Sequence, residues 1–525
     1  MSRGARVASV VVAALLVASL AAAAVTGTEG AAADRLTEFS SAADGVLDDD
    51  ADPVVTRRLT YDRTPSEPGN VTVAVEFAVG RDAERLVVSG PENATVVERD
   101  GFEAETRYDD WAYEWDGDTD SPALTVTVPV NRTSGAFDGL DFADTGDWAL
   151  LRSTEGFDSA YYSDEAGEWV YSWRDDPRFR SEFEATGPGH VSAGVGFLGE
   201  YETDSRTVGD QTATLVVPAA ASPEASRNET FAVLAAARDA FRFGGVDDRV
   251  TVYVGPDPLR SGGYYQGPSS FWVHQDSLDG AGTLVHEYVH TRQAYRAGDA
   301  VAWFDEGSAN YYRELLQYER GLQSYESFRT DLADDGGETG TLADRHTWSS
   351  ADLEYHHGER VAAALDAKLR QETDGERTLQ DVLGRLNEHD GEVRYADFRA
   401  AVAAVAGTSL DGWLDEYVQS DALPRLPDDP GLYTLPSSAA DGDSDGDHAA
   451  TDEPPEPTGE REAATTGTAA ATESTTTAAT ETPTTGVEGV DSDGASGGES
   501  PGFGVLAALA ALAVLGLGLR VADRE

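Results

Sequence analysis

Thr283-Leu284-Val285-His286-Glu287-Tyr288-Val289-His290 lies in a run of helical apolar spacing, from about Ala281 to Ala297. Residues i and i+4 of a helix share a face, about 6 Å apart along the axis. His286 and His290 therefore project side by side, as two imidazoles binding one metal ion must. Glu287 stands beside them, placed to take a proton from a metal-bound water. Zn2+ lowers the pKa of such a water to roughly 7, so hydroxide forms near neutrality. With 9 histidines in 525 residues, this pattern arises by chance about 0.01 times per chain.

Zinc needs a third protein ligand, and the chain has 0 cysteines, so it must come from histidine or carboxylate. Gly298-Asp299 break the first helix, and a second runs from about Ala302 to Tyr318. It begins Trp303-Phe304-Asp305-Glu306-Gly307-Ser308-Ala309-Asn310. Packed against the first helix, it returns a carboxylate to the metal. Glu306 is the choice, in a setting of aromatic and small residues that suits close packing. Asp305, on another face, is the fallback.

His286 to Tyr312 resembles the gluzincin metallopeptidases, where H-E-x-x-H precedes a W-[LF]-x-E-G-x-x-x-Y stretch. Downstream, Tyr355-His-His-Gly-Glu-Arg-Val-Ala-Ala-Ala-Leu-Asp-Ala-Lys-Leu-Arg370 is similar to a segment of glycyl-aminopeptidase-like members. Thr378-Leu-Gln-Asp-Val-Leu and Trp413-Leu-Asp-Glu-Tyr-Val are similar to that family's closing helices. The resemblance covers residues 226 to 427. It implies a thermolysin-like α+β catalytic domain acting on peptides, with His286, His290 and Glu306 as zinc ligands and Glu287 as general base. It also implies that Tyr355 donates a hydrogen bond to the tetrahedral oxyanion; by its own surroundings Tyr355 is an aromatic ahead of a helix expected over Arg360 to Gln371.

Two departures from the family matter. His357 stands where the family has lysine. The glycine-rich segment Ser261-Gly262-Gly263-Tyr264-Tyr265-Gln266-Gly267 lies where related aminopeptidases carry a glutamate for the substrate's amine, and it holds no acid. Gly262, Gly263 and Gln266 are the substrate-binding candidates, with the glycine-rich edge taking peptide backbone by strand addition. A neutral amide at Gln266 lacks the charge that pairs strongly with ammonium. Aminopeptidase and endopeptidase both remain open.

Around this core the chain reads as five segments. Residues 1–33 start with Arg3 and Arg6, pass through an apolar run to about Val25 and end in small residues, the form of a secretory signal peptide. Residues 34–215 are β-rich: Val71-Thr-Val-Ala-Val-Glu-Phe and Leu124-Thr-Val-Thr-Val-Pro-Val alternate, as in an antiparallel sandwich. Residues 216–427 form the peptidase domain. Within it Phe231 to Phe241 has helical spacing, and Arg249-Val-Thr-Val-Tyr-Val and Phe271-Trp-Val read as strands. Residues 428–500 are Asp/Gly/Ser- and then Thr/Ala/Glu/Pro-rich, a disordered stalk. Residues 501–525 join Pro501-Gly502-Phe503, an apolar run to Leu519, and Arg520 and Arg524. This end resembles the archaeal PGF sorting signal, which implies a lipid or helix anchor and an outer-surface location in a haloarchaeon. Sequons at Asn70, Asn93, Asn131 and Asn228 agree with export as a glycoprotein.

The net charge of -58 excludes nucleic-acid partners, which require basic patches. The acids are spread along the chain, and nearly all the positive charge is arginine. Such a surface is halophilic: at molar salt the Debye length is about 3 Å and self-repulsion is screened. The expected function is zinc-dependent peptide hydrolysis at the outer cell surface. The alternative is a non-catalytic surface binding or adhesion module on the same scaffold.

Overall fold

The computed structural model describes residues 53–435, apart from 92, 105–110, 134–138, 155, 174–175, 245–246 and 268. The expected signal peptide, the expected C-terminal sorting segment and most of the expected stalk lie outside these residues. Among the described residues no helix is long and apolar enough to cross a membrane.

The alternating runs fold as strands with one buried face. Leu59 pairs with Val75 and Val75 with Leu124, a fully buried row across three strands of a five-stranded sheet. That sheet runs in the order Phe179–Ala185, Val55–Arg63, Asn70–Val79, Ala123–Pro129, Thr95–Asp100. Two features depart from an antiparallel sandwich. Val55–Arg63 pairs in parallel with Phe179–Ala185, because more than a hundred residues of chain separate them and supply the crossover a parallel pair needs. Among the described residues this half also has three sheets: a second of five strands, and a third of four, ordered Gly189–Val191, Val195–Leu198, Ala149–Arg152, Ala143–Asp144.

The boundary expected at 215 moves upstream. Tyr201–Val208 and Gln211–Pro218 join the sheet of the second half, ordered Tyr201–Val208, Gln211–Pro218, Arg249–Gly255, Ser270–His274, Gly263–Tyr265. Its three central strands are parallel and its edges antiparallel. Both faces are covered. Leu215, Val250, Val252, Val254, Phe271 and Val273 pack among the helices. Val216, Tyr253 and Trp272 point the other way, into the core of the N-terminal sheets.

Helix α1 (Arg227–Ala240) begins at a capping box between Ser226 and Glu229. It is followed by α2 (Gly282–His290), α3 (Trp303–Glu319), α4 (Tyr325–Asp331), α5 (Leu353–Glu372), α6 (Leu379–Asn387), α7 (Tyr395–Ala406) and α8 (Asp411–Tyr417). The motif helix α2 stops at His290, seven residues short of the expected end. Asn387 at the end of α6 is the reason. Its side-chain oxygen accepts from the Ala294 and Tyr295 amides, at 2.8 and 3.1 Å, and its Nδ2 donates to Arg292 O at 2.9 Å. Buried Arg292 turns back to the Phe241 and Phe243 carbonyls. Helix α5 starts two turns earlier than expected, so Tyr355 lies in its first turn and not ahead of it.

Helices α3 and α5 cross glycine on glycine. A Cβ on Gly307 would stand 2.6 Å from the Gly358 carbonyl carbon, so neither position accepts a larger residue without parting the helices. This contact brings the Tyr355 turn of α5 against the Glu306 turn of α3. The domain also runs past the expected end at 427. Tyr433 is buried edge-on to Phe328, and Arg370 donates to Thr434 O at 2.6 Å. The first residues of the expected stalk are therefore part of the core.

Candidate metal centre

Helix α2 is buried continuously from Leu284 to His290. Leu284, Val285, Tyr288 and Val289 belong to the core, which leaves His286, Glu287 and His290 for the cleft. Glu306, in the first turn of α3, meets the two imidazoles. His286 Nε2 and His290 Nε2 are 3.1 Å apart, and Glu306 Oε2 is 3.1 Å from the first and 3.3 Å from the second. Among the described residues this is the group of His, Asp and Glu whose ligand atoms converge closely enough for a metal.

The other nitrogen of each ring is held by an amide. His286 Nδ1 donates to Asn310 Oδ1 at 2.9 Å, and His290 Nδ1 donates to Gln293 Oε1 at 2.6 Å. Gln293 is fixed in turn by donating to Asp305 O and Ser308 Oγ, at 2.8 and 2.9 Å. With a metal ion between the rings, these partners would keep the proton on Nδ1 and leave each Nε2 lone pair to the ion. These two nitrogens and Glu306 Oε2 face one another in a buried space. Ligands about 2.1 Å from a tetrahedral zinc lie about 3.4 Å apart, so the triangle fits such a cation.

The electrostatics fit the same use. Burial holds His286 down to about 4, so it is the neutral imidazole a metal requires. At Glu306 burial acts upward, but the charge of His290 and the hydrogen-bonding of both imidazoles outweigh it and hold the acid down to about 2. At His290 burial acts downward and the Glu306 charge prevails, raising it to about 9, so a metal ion bound there has to displace a proton from this ring. Burial pushes Glu287 up to about 8, and the Glu306 charge adds to this. A divalent cation between them reverses that push on Glu287.

Glu287 Oε1 is buried without a hydrogen-bond partner. Its carboxylate lies against Gly263 on the edge strand, where a Cβ would fall 2.7 Å from Oε1. Gly263 therefore makes room for Glu287. Tyr355 lies across the His286 ring, centroids 6.2 Å apart and planes at 27°. Burial keeps its hydroxyl protonated, and that hydroxyl too is buried and unpartnered. Gly262, just ahead of the edge strand, has φ +96°, with its amide donating to Ser277 Oγ at 2.7 Å. Gln266 is not brought to the cluster: its side chain donates to Tyr265 O, and its main chain abuts Gly194 of the N-terminal half. Asp305 lies beside Tyr295 and is not among the three converging ligand groups.

Sequence reasoning left Asn310, Gln293 and Tyr265 without roles. Asn310 follows Glu306 by one helical turn and Gln293 follows His290 by three residues, a spacing that could have marked them. Tyr265 packs on His290, with ring centroids 5.7 Å apart.

No protein-family model matches the chain, and no curated protein matches it. Among solved structures it is similar to an aminopeptidase N family protein from Idiomarina loihiensis, at 12% identity over 71% of this chain and 77% of that one, with TM-score 0.49. It is also similar to an M1 zinc metallopeptidase from Deinococcus radiodurans. A point mutant of that protein bound to a Tyr-Ser-Ala substrate gives 17% identity over 72% of this chain and 96% of that one, with TM-score 0.49. Another structure of the same protein gives 16% identity over 72% and 95%, with TM-score 0.47.

Proposed function

We propose that this chain is a zinc-dependent peptidase. The observation that carries the reading is the buried triangle of His286 Nε2, His290 Nε2 and Glu306 Oε2, with Glu287, whose Oε1 has no hydrogen-bond partner, next to it. Zinc held there would polarise a scissile carbonyl and make water nucleophilic near neutral pH. Glu287 accepts the proton of the attacking water on its free oxygen and delivers it to the leaving amine. Tyr355 donates its hydroxyl proton as a hydrogen bond to the oxygen on which negative charge develops. The peptide lies beside the strand Gly263–Tyr265, which forms one side of the sheet next to Glu287.

A chelator should abolish hydrolysis of a peptide mixture in high-salt buffer, and zinc should restore it. Hydrolysis that survives complete metal removal would end the proposal. Digesting N-acetylated and free peptides side by side assigns the enzyme as an endopeptidase or an aminopeptidase. The arginine-flanked apolar ends and the acidic composition support action outside a halophilic cell, with the chain anchored at its C-terminus. Cleavage of intact cells' surface proteins by an exogenous protease, with loss of this chain from the cells, would test that location.

Tyr355→Phe should lower kcat by about 10²–10³-fold, the usual loss for one oxyanion donor, with zinc content unchanged. Full kcat in this variant would remove Tyr355 from the reaction.

A further inference from the structure

The edge strand beside Glu287 is held from the other half of the protein. Residues 139–141, from the N-terminal half, lie along 258–260. Leu140 N donates to Pro258 O at 3.1 Å, Arg260 N donates to Leu140 O at 2.9 Å, and Leu140 and Leu259 form a parallel bridge. The approach is close enough that a Cβ on Gly139 would stand 2.7 Å from Arg260 Cα. Gly139 has φ +111°, so both its backbone and its neighbour call for glycine.

This contact delivers Asp141 to Arg260. Arg260 is 1% exposed and Asp141 6%. The guanidinium Nε donates to Asp141 Oδ1, Nη1 donates to Ser261 O at 3.1 Å, and Nη2 donates to Gly263 O at 2.9 Å. The group lies between the rings of Tyr264 and Trp272, at 5.5 and 5.3 Å from their centroids. Tyr264 is itself edge-on to Phe142, the residue after Asp141. One buried ion pair between the halves thus grips the carbonyl of Gly263, whose α-carbon forms the wall against Glu287.

We infer that Arg260, fixed by Asp141 of the N-terminal half, is a positioning residue that sets the edge strand at the height needed to receive an extended peptide beside Glu287. The N-terminal sheets are thereby part of the substrate-binding apparatus. Arg260 touches no reacting atom. It acts through Gly263, so its loss moves the strand and leaves the metal ligands in place. The inference rests on the peptidase reading above.

The test uses Asp141→Asn, Asp141→Ala and the double variant Asp141→Leu with Arg260→Met, each zinc-loaded in the full chain. Apolar replacement of both members of a buried pair is commonly tolerated, so the double variant keeps the question answerable if the single variants fail to fold. Two substrates are compared: an extended peptide and a single-residue chromogenic amide that does not reach along the strand. For the extended peptide KM should rise about tenfold or more, in line with the cost of ångström-scale misplacement. The rise should be larger for Asp141→Ala than for Asp141→Asn, which keeps one hydrogen bond. KM for the short amide and the zinc content should stay as in the unaltered protein. Unchanged KM for the extended peptide in the folded double variant overturns the inference. So does a uniform loss on both substrates accompanied by loss of metal. If the unaltered protein hydrolyses neither substrate, the peptidase reading fails. The inference is then read from calorimetric affinity for the extended peptide alone, which the double variant must weaken about tenfold to support it and must leave equal to refute it.

Discussion

Glu287→Gln should retain a full complement of zinc and lose about 10²–10⁴-fold in kcat, the span over which a positioned general base contributes. The reasoning starts from shape. Glutamine has the size of glutamate, so the contact with Gly263 and the helix around it are unchanged. It has no basic oxygen with which to take a proton. The metal ligands are not altered, so metal content measured by mass spectrometry separates lost chemistry from lost metal. A variant with the parent's kcat would refute the mechanism. A variant without zinc would instead show that Glu287 supports the metal site and would leave its catalytic role unproved.

Glu306→Ala should release the metal. Removing an orienting partner of a ligand weakens metal binding about 10–100-fold, and removing a ligand does more. Here the loss is compounded, because Glu306 is the negative charge that offsets a dication between two buried imidazoles. Asp305→Ala is the control. Its carboxylate lies beside Tyr295, not among the metal atoms, so this variant should bind zinc as the parent does. Competition titration against a chromophoric chelator gives both affinities. If Asp305→Ala lost the metal and Glu306→Ala kept it, the third ligand would have been misassigned.

What could be read in the sequence was what depends on local spacing. Val71, Val73, Val75 and Phe77 fall on the buried face because a strand alternates with period two, and nothing distant changes that. His286, Glu287 and His290 share one helix, and Glu306 is close in sequence with only one chain reversal between. What could not be read depends on distant partners. The periodicity from Tyr288 to Tyr295 continues past the true end of α2, which is set by Asn387 nearly a hundred residues away. Tyr201–Val208 and Gln211–Pro218 look like the strands before them, and only their pairing with Arg249–Gly255 assigns them to the second half. Asp141 and Arg260 are two charges among many in an acidic chain, 119 residues apart, and their burial as a pair is a property of the fold. Asn310 and Gln293 carried a usable signal, since each is one turn from a ligand, but an isolated amide has many other uses on a helix.

The sheet of the second half has no face of its own. Val252 and Val254 look toward the helices while Tyr253 between them looks into the N-terminal sheets, and Phe271, Trp272 and Val273 divide in the same way. A surface strand ordinarily leaves every second position free to drift in evolution. Val252–Val254 and Phe271–Val273 leave none, because each of these residues answers to one neighbour or the other. A recombination that exchanged one of the two halves would have to bring matching side chains for a surface that belongs to both.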